Sequence, residues 1–190
     1  RKGGQAKIAV VNADDPAVTY YASYKADKVL RYGLKNKADL SASDVRGSGA
    51  LAFTLQLPGT SIPVSMQLKG EFNVYNALAA ASAGMALGID APTIAEGLSV
   101  VPAVPVRMEF IDLGQPFQVV VDFAHTPNGF RALFTAARRI VGDKHRVIAV
   151  YGATGGRDPG RRPMVGEVAA ELIDFSVLTS EDPRNEDPEL

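Results

Sequence analysis

The sequence predicts an α/β protein built from two parts, and three observations lead to this class. From residue 107 onward, short apolar strands alternate with helices, which is typical of a parallel sheet with crossover connections. Earlier in the chain, residues 50–57 and 61–68 alternate apolar and polar side chains around a Pro-Gly-Thr turn, which indicates an antiparallel hairpin. The proline-containing stretch 100–106 separates the two patterns, so we predict a domain boundary near residue 105.

The first part begins with a predicted strand at 7–11, and the capping residues after it mark the start of a short helix. A long alanine-rich helix over 77–87 opens with residues 70–76. It ends at Gly88, the position after a helix where glycine is preferred. The other predicted elements of this part are a helix at 17–24, strands at 29–33 and 40–45, the hairpin, and a helix at 92–98.

The second part begins with a hairpin whose second strand, 117–121, is short, apolar and β-branched. Thr126 is placed to cap the next helix, and Pro127 suits its first turn because no N–H is needed there. The elements that follow are a helix at 127–141, a strand at 146–151, a helix at 161–172 and a strand at 175–179. The loops after the three strands, at 122–126, 152–158 and 180–187, should all open on one edge of a parallel sheet.

Composition narrows the possible functions. Of the 190 residues, 46% are hydrophobic and 22% are charged, and the formal net charge is −1, which is ordinary for a globular protein. Because no run of basic residues forms a patch, we expect neither nucleic acid nor an anionic membrane surface as a partner. The sequence has no cysteine, which excludes a disulfide framework and a thiolate metal site.

The two ends of the chain and its apolar stretches also carry expectations. No apolar stretch is long enough to span a membrane and no signal peptide opens the chain, so we expect a cytoplasmic protein. The chain starts at Arg1 without an initiator methionine and stops at Leu190, where an α/β pattern should continue. We therefore expect it to be a piece of a longer protein.

Two side chains at the end of strand 117–121 point to a ligand site. Asp122 and His125 follow the strand beside the start of a helix, and ligands of open α/β sheets bind at the carboxyl ends of the strands. The alternative for His125 is a structural role, which is more common for a lone histidine. His145, in a charged loop, is interpreted as solvent-exposed.

The next two loops also carry candidate binding residues. Glycines in 152–158 let backbone N–H groups approach an anion, and Arg157 can grip a carboxylate or phosphate by two parallel bonds. A tight structural turn explains the same glycines equally well. In the loop after the last strand, Glu181 and Asp182 can take an amine while Arg184 takes a carboxylate. The alternative there is a solvated, self-paired charged turn.

Two asparagines and one arginine complete the candidates. Asn73 and Asn76 lie three residues apart and therefore share one helix face, and amides suit the donor and acceptor edge of a nucleotide base. The alternative is one helix cap and one exposed polar residue. Arg107, at the predicted boundary, can meet a ligand, although an isolated arginine is usually a surface residue. No set of residues has metal-ligand spacing, and no serine nucleophile motif is present.

Taken together, several stretches of the sequence resemble the Mur ligase family, the ATP-dependent amide-forming enzymes of peptidoglycan precursor synthesis. They follow the family's order over nearly the whole chain, and the nearest branch is the tripeptide synthetases, which add the third residue of the stem peptide. The stretches are residues 11–16, 70–80, 107–109, 121–127, 155–158, 162–164 and 181–184.

The resemblance implies a particular domain organisation. Residues 1–105 correspond to the later half of the family's central ATPase domain, which includes a small antiparallel β-subdomain. Residues 106–190 correspond to the first part of its Rossmann-like C-terminal domain. The phosphate-binding Walker loop, the magnesium ligands, the modified lysine and the UDP-binding domain are expected before residue 1, and the last segment of the amino-acid pocket beyond Leu190. We therefore expect no turnover from the 190-residue chain alone.

The resemblance also implies two groups of site residues. On the nucleotide side, the asparagines lie at the adenine, the arginine near the nucleotide at the hinge, the aspartate near the ribose, and the histidine in the same loop. These residues are Asn73, Asn76, Arg107, Asp122 and His125. The residues that receive the incoming amino acid are Arg157, Glu181, Asp182, Pro183 and Arg184. No residue of this chain is assigned a catalytic or metal-binding role.

The implied reaction activates a carboxylate as an acyl phosphate with ATP and Mg²⁺, and an amine then displaces phosphate. The implied partners are a UDP-sugar peptide, a diamino acid and ATP. The sequence departs from the family pattern at Val106, where glycine is usual, at Thr154 and Gly156, and in the Glu-Asp-Pro-Arg loop at 181–184, where Asp-Asn-Pro-Arg is associated with meso-diaminopimelate.

We favour meso-diaminopimelate over lysine as the added residue, because Arg157 and Arg184 can still bind the distal carboxylate that lysine lacks. Two other functions stay open. One is a folylpolyglutamate-synthetase-like ligase, which also has an aspartate and a histidine after the equivalent strand. The other is a non-catalytic Mur-like subunit that binds a nucleotide or a partner protein.

Overall fold

The computed structural model describes residues 6–47, 50–102 and 104–187. It confirms the predicted α/β class, with nine strands and five helices in the part of the chain that it describes. The chain divides into two compact units, Arg1–Ala103 and Val104–Leu190, and this division lies close to the predicted boundary. No helix in the described ranges is long and apolar enough to cross a membrane.

The first unit combines a short parallel pair with an antiparallel sheet. Its elements are β1 (Ile8–Asn12), α1 (Val18–Ala22), β2 (Lys28–Tyr32), β3 (Ser41–Arg46), β4 (Ala50–Leu57), β5 (Thr60–Lys69), α2 (Phe72–Ala86) and α3 (Ala91–Val100). β1 pairs in parallel with β2, and β3, β4 and β5 form a three-stranded antiparallel sheet. The predicted hairpin is therefore confirmed as β4 and β5, which turn at Pro58 and Gly59.

The core of the first unit lies between this sheet and the two long helices. Leu51, Phe53 and Leu55 alternate along β4 and are buried, because successive side chains of a strand point to opposite faces. α2 presents Leu78 and Ala81 to the same cluster, and its small alanines allow close packing. Gly88 follows α2 with a φ of 83°, the left-handed conformation that its position after the helix requires.

The second unit alternates strands and helices. Its elements are β6 (Glu109–Ile111), β7 (Val119–Val121), α4 (Pro127–Val141), β8 (Ile148–Tyr151), α5 (Arg161–Leu172) and β9 (Phe175–Leu178). α4 packs against α5, and the core of this unit contains Phe130 and Phe134 from α4 with Val165 and Val168 from α5.

The predicted single parallel sheet is wrong in one respect. β8 and β9 are parallel, but β7 pairs only with β6, in antiparallel register, among the described residues. β7 is only three residues long, and its hydrogen-bonding capacity on one side is taken up by β6. The loops after β7, β8 and β9 therefore do not lie at the edge of one continuous sheet among the described residues. Whether they face one another depends on how the two strand pairs pack within the unit.

A single carboxylate ties three parts of the first unit together. The Asp14 side chain, just after β1, accepts hydrogen bonds from the backbone amides of Leu34 (2.7 Å) and Asn36 (2.7 Å), which follow β2. It also accepts one from the Tyr75 hydroxyl of α2, at 2.9 Å. Burial raises the pKa of the Asp14 carboxyl, but the hydrogen bonds outweigh burial and hold that pKa below its ordinary value of 3.8. Burial and the contact with Asp14 raise the pKa of Tyr75 to about 12.

We expect Asp14→Asn to destabilise the protein in a pH-dependent way. Because the folded state lowers the Asp14 pKa, the ionised carboxylate stabilises the fold above pH 3.8, and this contribution is lost as pH falls through the folded pKa. In thermal unfolding, the variant should therefore melt below the wild type by a constant margin above roughly pH 5, and the margin should shrink below pH 3.8.

Asp15→Asn is the matched control, since among the described residues the exposed Asp15 side chain accepts a hydrogen bond from the nearby Ala17 amide alone. It should show a smaller margin at every pH. An Asp14→Asn margin that stays constant from neutral pH to pH 3 would refute the stabilising role of the ionised carboxylate.

Candidate functional site

Residues from all three strand-end loops of the second unit line one cavity of about 1390 Å³. β7 and β8 border the cavity, and α4 contributes Phe130 and Phe134 to its wall. Five of the sequence-predicted site residues line it: Asp122, His125, Arg157, Glu181 and Pro183. Asp182 and Arg184 lie on the same loop as Glu181 without lining the cavity. The three loops thus share one cavity although their strands do not share one sheet.

On one side of this cavity, Asp122 organises the chain around Arg107. Its two carboxylate oxygens accept hydrogen bonds from the backbone amides of Met108 (2.8 Å) and Ala124 (2.7 Å). The guanidinium of Arg107 lies over the ring of Phe123, 4.9 Å from its centre, in cation–π geometry. Asp122 therefore ties the residue after Arg107 to the loop that follows β7, and Arg107 itself is exposed.

His125 belongs to the same cluster of side chains. Its ring meets the Phe123 ring edge-on, with 5.2 Å between centres, and its Nδ1 lies 3.1 Å from the Phe123 carbonyl oxygen. Thr126 caps α4, since its hydroxyl accepts a hydrogen bond from the Gly129 amide, so the predicted cap is confirmed. Sequence reasoning missed Phe123. The available signal was an aromatic residue between two polar candidates in a strand-end loop.

The residues on either side of Arg107 adopt an unusual backbone conformation. Val106 has a φ of 52° and Met108 a φ of 48°, in the left-handed region that favours glycine and is unfavourable for a β-branched residue. The Val106 amide donates to the Glu109 carboxylate at 2.8 Å, which helps to hold this conformation. Val106 stands at the position where the resemblance places glycine, and its conformation accounts for that preference.

The glycines at 152–158 allow two loops to touch. A Cβ atom at Gly155 would overlap the carbonyl oxygen of Pro183, and one at Gly152 would overlap that of Thr179. The Gly155 amide donates to the Asp182 carbonyl at 3.0 Å, and the Gly156 amide donates to the Glu186 carboxylate at 2.8 Å. The amides of these two glycines are therefore already bonded to the neighbouring loop, and the expectation that they bind an anion is corrected.

The charged loop at 181–184 is partly self-paired. Arg184 Nε lies 3.4 Å from the Asp182 carboxylate, and both residues have positive φ values, 54° and 37°. The guanidinium of Arg184 also lies against Gly156, because a Cβ there would be 3.7 Å from Arg184 Nη1. Arg157, the next residue after Gly156, is exposed and makes no hydrogen bond or ion pair with any residue that the structure describes. Two guanidinium groups are thus carried by loops in direct contact.

In the first unit, Asn73 and Asn76 form one hydrogen-bonded pair at the start of α2. The buried Asn73 donates from its Nδ2 to the Lys69 carbonyl at 2.6 Å and accepts from Asn76 Nδ2 at 2.8 Å. Neither side chain caps the helix, whose N-cap is Glu71 without a side-chain bond, so the capping alternative is wrong. The exposed Asn76 keeps its side-chain carbonyl oxygen without a hydrogen bond to any described residue.

The described ranges hold no group of three His, Cys, Asp or Glu side chains that is arranged to bind a metal ion.

Comparison with known proteins identifies two family models along the chain. Residues 2–84 match the Mur ligase middle domain, and residues 106–190 match the Mur ligase glutamate ligase domain. The UDP-N-acetylmuramoyl-L-alanyl-D-glutamate–2,6-diaminopimelate ligase of Geobacillus kaustophilus is 42% identical over 183 residues, which cover 96% of this chain. The chain spans only 37% of that relative's length.

Two solved structures extend the comparison. A structure of a UDP-N-acetylmuramoyl-L-alanyl-D-glutamate–2,6-diaminopimelate ligase matches 96% of this chain and 38% of its own, with 32% identity and a TM-score of 0.59. MurF ligase from Thermotoga maritima, solved in complex with ADP, matches 95% of this chain and 42% of its own, with 19% identity and a TM-score of 0.71. At 19% identity, the similarity to the second structure shows a shared fold alone.

We expect Gly155→Ala to disrupt the contact between the two loops. Gly155 is not in the left-handed region, so the lack of space beside Pro183 is the only reason that glycine is required there. The added methyl group should lower the free energy of unfolding by about 1–3 kcal/mol. It should also accelerate amide hydrogen exchange in the 180–187 loop.

Gly166→Ala provides the matched control, since Gly166 lies inside α5 and no atom lies within 4 Å of its Cβ position. This substitution should leave exchange in the 180–187 loop unchanged and raise stability by roughly 0.5–1 kcal/mol, because alanine favours the helix. Equal effects of the two substitutions would show that the loops are not in the tight contact described.

Proposed function

The chain belongs to the Mur ligase family, and from this premise we propose that the whole protein is an ATP-dependent ligase of peptidoglycan precursor synthesis. It adds a diamino acid to UDP-N-acetylmuramoyl-L-alanyl-D-glutamate in the cytoplasm, where ATP and nucleotide-linked precursors are available. The observation that carries the proposal is the cavity of the second unit. Arg157, Glu181 and Pro183 line it together with Asp122 and His125.

We assign the nucleotide to the residues that the family resemblance indicates. Asn76 suits the adenine edge, because its exposed carbonyl oxygen can accept a hydrogen bond from an exocyclic amine, and Asn73 holds it in that orientation. Arg107 supplies a positive charge for the phosphates, fixed over Phe123 by cation–π contact. Asp122 has a double role, since it orders the backbone beside Arg107 and is the candidate for the ribose hydroxyls.

The proposed reaction has two steps. A carboxylate oxygen of the UDP-linked peptide attacks the γ-phosphorus of ATP, and ADP leaves as the acyl phosphate forms. The amine of the incoming amino acid then attacks the acyl carbon, loses a proton, and expels inorganic phosphate. The second unit contributes to this chemistry by binding and orienting the amine, which is the positioning on which such reactions chiefly depend. Mg²⁺ supplies charge neutralisation in such transfers, and no described residue group provides its ligands.

The added residue is proposed to be meso-diaminopimelate. Its distal carboxylate offers two oxygens to a guanidinium, and Arg157 and Arg184 present two such groups from touching loops. Glu181 and Asp182 supply negative charge for the ammonium groups. Lysine lacks the distal carboxylate, so it would offer neither guanidinium group a ligand oxygen to bind.

We expect Arg184→Ala to remove the preference for meso-diaminopimelate over lysine in the ligase that contains this chain. The loss of a charged bond to the distal carboxylate should raise the KM for diaminopimelate by roughly tenfold or more, while the slow use of lysine stays unchanged. The measurement is the kcat/KM of ADP release with each amino acid.

The control is Arg131→Ala, which removes an arginine of the same unit that pairs with Glu171 on the surface. It should leave both values unchanged. If the wild type uses lysine as well as diaminopimelate, and Arg184→Ala changes neither, the carboxylate-binding role of Arg184 is wrong.

A further inference from the structure

Glu186 has several contacts, and the proposed function assigns it no role. One oxygen of its carboxylate accepts a hydrogen bond from the Gly156 amide at 2.8 Å. The other forms an ion pair with Arg162 in the first turn of α5. Its own backbone amide donates to the Pro183 carbonyl at 3.0 Å, which closes a turn. One side chain therefore connects the glycine-rich loop, α5 and the 181–184 loop.

These contacts concern the charged form of Glu186. The hydrogen bond from the Gly156 amide, followed by the bond from Arg162, holds the pKa of this carboxyl below its ordinary value of 4.5. The side chain is thus ionised at neutral pH, as both contacts require. A charge-assisted bond to a backbone amide is shorter and stronger than a neutral one, which suits a residue that holds two loops together.

The loop beside Glu186 needs such a restraint. Asp182 and Arg184 both have positive φ values, which are unfavourable for residues with side chains and persist only where surrounding contacts impose them. Two hydrogen bonds connect this loop to the glycine-rich loop, one from the Gly155 amide to the Asp182 carbonyl and one from the Gly156 amide to the Glu186 carboxylate. The second of these bonds is the one made by a side chain, and it attaches the loop at Gly156, the residue next to Arg157.

We propose that Glu186 is a positioning residue for recognition of the amino acid. It holds the 181–184 loop against the glycine-rich loop, so that the guanidinium groups of Arg184 and Arg157 act on one carboxylate. Because its two oxygens bond to Gly156 and Arg162, the role assigned to Glu186 is to hold the loops, while the two arginines bind the amino acid. The predicted effect of Glu186 on amino-acid binding rests on the proposed function. Its predicted effect on the structure rests on the geometry of the two loops.

The test uses Glu186→Ala, which removes both contacts, and Glu186→Gln, which keeps an acceptor for Gly156 but loses the charge. In the 190-residue chain, amide hydrogen exchange at Gly156 should become roughly tenfold faster in Glu186→Ala and change less in Glu186→Gln. In the ligase that contains this chain, the KM for meso-diaminopimelate should rise by roughly tenfold in Glu186→Ala, with kcat and the KM for ATP unchanged. A general loss of structure would instead change all three constants.

Glu171→Gln is the control, because Glu171 pairs with Arg131 on the surface of the same unit and contacts neither loop. It should alter neither exchange at Gly156 nor any kinetic constant. Unchanged exchange at Gly156 in Glu186→Ala overturns the inference, and so does faster exchange with an unchanged KM for diaminopimelate. If the wild-type ligase does not use diaminopimelate, the proposed function fails instead, and exchange at Gly156 alone then decides whether Glu186 holds the loops.

Discussion

The candidate amino-acid site depends on one steric constraint, the contact between the backbones of Gly155 and Pro183. Gly155 does not have a positive φ, so its backbone conformation does not require glycine. Glycine is required because a Cβ atom at this position would overlap the backbone of Pro183. Because the two loops touch at this point, the arginines that they carry belong to one surface and not to two separate turns. The side-chain contacts of Glu186 and the amide of Gly155 then keep the loops in register. A weakly organised loop would impose no fixed distance between two guanidinium groups, and it would lose the specificity that bidentate recognition requires.

Several polar side chains of the chain bond to the protein itself. The side-chain hydrogen bonds of three such residues, Asp14, Asp122 and Asn73, go to backbone groups or to a nearby side chain. They leave the exposed groups beside them, such as Arg107 and Asn76, in defined orientations. A carboxylate that accepts several backbone bonds is held in one orientation, whereas a group that binds a ligand must keep a donor or acceptor available. Substitution of the inner residues is therefore expected to disturb ligand binding through geometry and stability.

The sequence predicted those elements whose determinants are local. α4 begins where Thr126 and Pro127 indicate, and the alternation of residues 50–57 and 61–68 predicted the correct hairpin. The pairing of β7 with β6 was predicted as a hairpin, but among the described residues β7 does not join the parallel pair of β8 and β9. Which strands of distant segments become neighbours is decided by long-range contacts that no local pattern encodes. Phe123 and Glu186 were missed for a related reason. Their roles come from a ring or carboxylate that meets residues distant in sequence, and an aromatic or acidic residue in a polar loop carries no signal of its partner.

The central proposal is that two touching loops of the second unit bind the distal carboxylate of a diamino acid. A crystal structure of the ligase that contains this chain, soaked or grown with meso-diaminopimelate, tests this directly. We expect one carboxylate of the ligand to lie about 3 Å from guanidinium nitrogens of both Arg157 and Arg184, with the loops in the contact seen at Gly155. A ligand bound in the active site with its distal carboxylate in solvent and neither arginine in contact would contradict it.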